Sequence, residues 1–298
     1  MSKILAATAI ACFAGSALAM GQDQQYQTLT RNSQLLEQQY NPNRVAGVTV
    51  WDTMYGAGPT TTTGTPRTYI GGAIGSLGNA AGTGPITLTG LDCVMVNTTG
   101  AAINNIVGIR LNVTIWGAYT GLTGGNDLVF GSQLAQASAD FTLTTPLSLA
   151  SNTYIPFGND FAAGPSAALA GIDLSTLNIT LPTLTSIAGI SLNWQLNTGA
   201  GFGATPAGLT SGLVANVAPQ TIGTNGFAAP GGFFRNAGSA ARPAGSYTDG
   251  NFINTDARNF GTAAPNTNVA YRLYATPTPG AASLLGVAGL VAARRRRA

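Results

Sequence analysis

The residue types that do most protein chemistry are scarce in this chain. Histidine is absent from all 298 residues. A Ser-His-Asp or Cys-His arrangement is therefore excluded. The one lysine is Lys3, close to the start, so Ser-Lys hydrolysis, Schiff-base chemistry and a phosphate-loop lysine have no basis in the rest of the chain. Glu37 is the only glutamate. Within the strand-rich region after Val45, a hydrolase built on two carboxylates would have to draw them from Asp52, Asp92, Asp127, Asp140, Asp160, Asp173, Asp249 and Asp256. None stands in an informative motif, and Asp52-Thr53-Met54 is not the Asp-Thr/Ser-Gly of aspartic proteases. Scattered aspartates usually cap turns. The expectation is a protein with no catalytic residues, no cofactor and no metal, a cryptic Asp-dependent hydrolase being the least favoured alternative.

Metal-ligand spacing is equally poor. Zinc sites draw on Cys and His. The chain has Cys12 and Cys93 only. Asp249, Gly250, Asn251, Asn254 and Asp256 come nearest to a calcium loop but lack its spacing, and read as a pair of turns. Cys93 lies in the apolar run Leu91 to Val96 and reads as a small buried hydrophobe.

Charge has to be divided by position. Charged residues are 8% of the chain, against roughly 25% in an ordinary soluble protein. The net charge of +3 comes from the ends, where Lys3 and Arg294, Arg295, Arg296 and Arg297 lie. The body between them is slightly acidic, with eight scattered arginines. A phosphate backbone needs clustered basic residues, so nucleic acid is not an expected partner.

The first 19 residues carry Lys3, an apolar run from Ile4 to Ala14, and Ala17-Leu18-Ala19 before Met20. That is the pattern of a secretory signal peptide, with Ala17 and Ala19 at the cleavage site and the Sec translocon and signal peptidase as partners. Cys12 lacks the upstream leucine of a lipobox. Residues 20–44 are polar and Gln-rich; Leu29, Leu35 and Leu36 mark a possible short helix over Thr28–Gln39.

From Val45 onward strand signals dominate. Ile109, Leu111, Val113 and Ile115 alternate with Arg110, Asn112, Thr114 and Trp116; Ile190, Leu192, Trp194 and Leu196 alternate with Ser191, Asn193, Gln195 and Asn197; Val269, Tyr271 and Leu273 alternate with Ala270, Arg272 and Tyr274. Such period-2 patterns set one side on a core and the other toward water. Shorter runs add Val48–Trp51, Thr68–Ile70, Ile86–Leu88, Leu91–Val96, Ser138–Leu143, Leu147–Leu149 and Leu177–Leu181. The expected fold is all-β: a single antiparallel β-sandwich over 45–275, jelly-roll-like, flanked by an N-terminal signal-peptide helix and a C-terminal hydrophobic helix. A β-solenoid is the rival, but no fixed repeat length supports it. Residues 198–265, rich in Gly, Ala, Asn and Pro, read as a long irregular excursion with hairpins near Phe233-Phe234 and Asn251-Phe252-Ile253.

Trp116 is out of phase with Ile115 and is expected to face outward. With Tyr119 it is the best choice for stacking on a sugar ring, which makes a carbohydrate-binding module of an exopolysaccharide matrix the main alternative function. Asn97, Asn112 and Asn178 begin Asn-X-Thr sequons, and Thr60 to Thr63 offer a run of hydroxyls.

The most specific pattern is the tail, 276–298. Pro277-Thr278-Pro279-Gly280 precedes an uncharged Ala/Leu/Gly/Val stretch, Ala281 to Ala293, and Arg294 to Arg297 follow. Those 13 residues would span roughly 20 Å as a helix, short of the about 30 Å hydrocarbon core. The arginines would stay on the cytoplasmic side. This layout resembles the PEP-CTERM sorting signals of exosortase-processed bacterial proteins, in a Pro-Thr-Pro-Gly variant of planctomycete-like character, with Thr278 where Glu is usual. The resemblance implies export, transient inner-membrane retention through the tail, processing near Pro277 by an exosortase-like enzyme, and delivery to the cell surface or extracellular matrix.

Overall fold

The computed structural model describes residues 26–31, 47–54, 60–62, 69–78, 86–117, 119–120, 129–130, 133–158, 172–173, 180–181, 188–206, 208–216, 222–226, 232–236, 255–259 and 266–277. Among them every regular element is a strand. In chain order these are β1 (Tyr26–Thr28), β2 (Thr30–Arg31), β3 (Val48–Asp52), β4 (Thr60–Thr62), β5 (Tyr69–Ser76), β6 (Ile86–Asn97) and β7 (Ile103–Trp116). There follow β8 (Tyr119–Thr120), β9 (Val129–Phe130), β10 (Gln133–Leu149), β11 (Thr153–Phe157), β12 (Ile172–Asp173), β13 (Thr180–Leu181) and β14 (Ala188–Asn197). The last third holds β15 (Leu209–Ser211), β16 (Leu213–Asn216), β17 (Thr224–Asn225), β18 (Gly232–Asn236), β19 (Thr255–Asn259), β20 (Asn266–Val269) and β21 (Tyr271–Pro277).

Two large sheets carry the fold. The first runs β10-β7-β14-β5-β18-β19, with β17 also on β5; the second runs β2-β11-β6-β21-β3. A smaller sheet, β1-β4-β16-β20, and the β8-β9 pair complete it. Apart from the short parallel pair β2-β11, the pairings are antiparallel. The two large sheets share one apolar core. Ile109, Leu111, Val113 and Ile115 of β7 and Ile190, Leu192 and Trp194 of β14 meet Leu91, Cys93 and Met95 of β6 and Tyr271 and Leu273 of β21 within it. The Phe157 ring of β11 lies 4.7 Å from that of Trp194 and 4.8 Å from that of Phe141 in β10.

β6 is the axis of the second sheet. One of its edges takes β11, β12 and β13 end to end; the other takes β21 and β15. With both edges occupied, its near-continuous apolar sequence is what a central strand requires. Cys93 has no exposed surface, as the sequence implies. Its outer face, with Val94 and Val96, joins Leu29, Met54, Tyr154, Val214 and Ala270 in a second apolar cluster. Residues outside 45–275 therefore belong to the sheets. Thr28, Thr30 and Arg31 are extended strand, which corrects the expected helix at its start; 32–39 lie outside the described residues. At the other end β21 runs on to Pro277.

Two further corrections concern continuity. Ser138–Leu143 and Leu147–Leu149 are one strand, β10, broken in register between Thr142 and Leu147 around Pro146, which has no N–H to give the ladder. The stretch 198–265 contributes β15, β16, β17 and the β18-β19 hairpin at Phe233-Phe234; 251–253 lie outside the described residues.

No helix among the described residues is long and apolar enough to cross a membrane. The expected signal-peptide helix at 1–19 and the expected C-terminal helix after Pro277 lie outside the described residues.

Candidate functional sites: an ionic row and an amide face

Alternation on β7 and β14 holds, but its consequence differs from the expectation. The face opposite the core is also buried along the middle of both strands. Asn112, Thr114 and Trp116 of β7 and Ser191, Asn193 and Gln195 of β14 are all buried. They pay for lost hydration by bonding to one another. Asn112 Nδ2 donates to Asn193 Oδ1 and Gln195 Oε1, both at 3.2 Å, and Asn112 Oδ1 accepts from the Ser138 hydroxyl at 2.8 Å. The segment after β14 folds back over this row. Gln195 Nε2 donates to Gly203 O at 2.9 Å, and Asn193 Nδ2 donates to the Thr205 hydroxyl at 3.0 Å. Phe202 stacks on Arg110, whose guanidinium carbon is 4.2 Å from the ring centre. Arg110 also holds Asp140 through two parallel bonds of 2.6 and 2.7 Å. That hydrogen bond lowers the Asp140 pKa, although so exposed a pair adds at most about 1 kcal/mol.

Trp116 sits on this covered face. It does point away from the core side of Ile115, but only 3% of it is exposed, and its Nε1 donates to Ser191 Oγ at 2.8 Å. The ring offers no free face for a sugar, which corrects the outward placement. Tyr119 lies in β8, paired with β9. Of the sequon asparagines, Asn97 and Asn112 are buried. Asn97 ties the turn after β6 to the end of β10, its amide donating to Ala101 O and Leu149 O, both at 2.9 Å.

The other cluster was hidden by sequence distance. β21 lies between β3 and β6, and the register sets Arg272 directly opposite Asp52 on one side and Asp92 on the other. Arg272 Nε donates to Asp52 Oδ2 at 2.9 Å and its NH1 lies 3.8 Å from Asp92 Oδ2. Tyr274, two residues on and on the same face, donates its hydroxyl to Asp92 Oδ2 at 2.6 Å. Gly158 passes against Asp92 with φ +90, so close that a Cβ would collide with the carboxylate. Sequence reasoning named Asp52 and Asp92 among eight candidates; the pairing of their strands with β21 singles them out.

Electrostatics follow from burial. Desolvation would lower the Arg272 pKa, but the charge and hydrogen bond of Asp52 outweigh it and hold the value above the ordinary one. Burial, then the Asp92 charge, pushes Tyr274 up to about 12. Burial first and Asp92 second raise the Cys93 thiol well above its usual range.

Two measurements check this. Tyr274 is neutral when folded and ionises nearer 10 when unfolded, so its stabilising share is full below pH 10 and lost as pH rises through 12. In ultraviolet titration, the Tyr274→Phe difference should place one phenol late, near 12; a normal midpoint would refute the burial. Cys93 should ignore a thiol reagent in the folded chain and react in urea; fast native reaction would contradict its packing.

As chemistry, the ionic row does one clear thing. It spans three strands, so its carboxylates stand two strand spacings apart, about 9.5 Å at the backbone. A bond to be hydrolysed would have to enter that gap, and Arg272 fills it. The row cross-braces β3, β21 and β6. No group of three or more potential metal ligands occurs among the described residues. Asp256 lies in β19, while Asp249, Asn251 and Asn254 lie outside the described residues. Comparison with protein-family models, curated proteins and solved structures gives no match.

Proposed function

We propose that this chain is an exported, non-enzymatic cell-surface or extracellular-matrix protein, a β-sandwich ectodomain of jelly-roll type delivered by its C-terminal signal. The observation that carries the reading is the tail: Pro277-Thr278-Pro279-Gly280, an uncharged apolar stretch and four arginines, beginning at the last residue of β21. Supporting the sandwich is the single core shared by two large sheets. In this reading the Sec translocon and signal peptidase act at Ala17 to Ala19, and the tail holds the chain in the inner membrane until an exosortase-like enzyme processes it near Pro277. A carbohydrate role loses its best platform with Trp116 buried.

Intact mass of the protein recovered from cells tests the proposal. The expected product begins at Met20 and lacks the arginine cluster. A soluble secreted form that keeps Ala298 would overturn the sorting reading.

A further inference from the structure

The end of β21 fixes how far the body can stand from whatever holds the tail. Pro277 is still paired, opposite Ile86, in a strand flanked by neighbours on both sides. Ala281, the first residue of the apolar stretch, follows after only Thr278, Pro279 and Gly280. The four extended steps from Pro277 to Ala281 span at most about 14 Å. The polar layer of a bilayer is about 5–8 Å thick on each side. Only these three residues lie between the core strand and the apolar stretch.

The same end of the second sheet gathers four strand termini. β3 begins there at Val48, opposite Ala275; β6 begins at Ile86; β13 ends at Leu181, opposite Ile86; and β21 ends at Pro277. Val48 is exposed, at 47%. These four strands place no charged residue within their last two positions at this end.

We infer that this strand end, with Val48 at its rim, rests on the lipid headgroup layer while the tail is in the membrane. The partner is the bilayer surface itself. The contact orients the body, with the β6-β7 turn at Gly100 and Ala101 pointing away, about 36 Å further along β6. This rests on the membrane reading of the tail and adds orientation and distance to it.

Fluorescence quenching separates the two. The full chain carrying Cys12→Ser is given one labelled cysteine, Val48→Cys, Ala101→Cys or Ala282→Cys, and reconstituted in phosphatidylcholine vesicles with a headgroup nitroxide lipid. Cys93 is buried and stays unlabelled. Headgroup quenching should be at least about three-fold stronger at position 48 than at 101, because only the former lies within reach of the polar layer. A ten-residue Gly-Ser spacer after Pro277 should abolish the difference. If position 282 reports insertion of the tail but 48 and 101 are quenched alike, the docked orientation is wrong and the membrane reading survives. If position 282 does not report insertion, both fail.

Discussion

Arg272→Met should lower unfolding stability by about 3–5 kcal/mol, the cost of stranding buried carboxylates by removing their cation. Asp52 and Asp92 face Arg272 from the two strands beside it, and the side chains of the row are 8–17% exposed. The loss should be disproportionate to the volume removed, since methionine keeps most of the arginine stem. Replacing all three together, as Asp52→Asn, Asp92→Asn and Arg272→Met, should recover most of it, because no uncompensated charge is then left. Urea unfolding of the single and triple variants decides the matter. A single-variant loss under about 1 kcal/mol would mean that water reaches the row and screens it.

Trp194→Ala should be comparably costly, about 3–5 kcal/mol, for a different reason. The indole has no exposed surface, packs on Phe157 across the core, and donates its Nε1 to Ser211 Oγ at 2.9 Å in β15. Its removal opens a cavity between the sheets and leaves a buried hydroxyl without its donor. Trp194→Phe should cost less, keeping most of the volume but not the hydrogen bond. Thermal or denaturant midpoints that rank phenylalanine below alanine would contradict this packing.

The strands were legible where apolar and other residues alternate over eight positions, as in Ile109 to Trp116 and Ile190 to Asn197. Alternation tells which residues share a face; it does not tell what covers that face. Asn112, Asn193 and Gln195 look solvent-facing by type, and only the return of Gly203 and Thr205 across them reveals that they are interior. Trp116 was misplaced by the same inference. The Asp52-Arg272-Asp92 row was invisible because its members lie up to 220 residues apart and meet through register, which no local pattern encodes. Two-residue strands such as β12 and β13 owe their conformation to β6, and their own sequences carry little signal. The tail pattern from Pro277 to Arg297 is read from order along the chain alone, and beyond Pro277 it lies outside the described residues.

β6 is completed by segments from five places in the sequence, and its longest partner, β21, is the last of the described strands to be made. A ribosome that has released everything up to Val269 has therefore made a chain whose hub still shows an open ladder of amides and carbonyls. Such an edge recruits strangers as readily as its own partner. Long-range closure of this kind is also slow. A chain whose hub strand is closed only when β21 arrives keeps that edge open until late in its synthesis, and needs protection from its siblings while it waits.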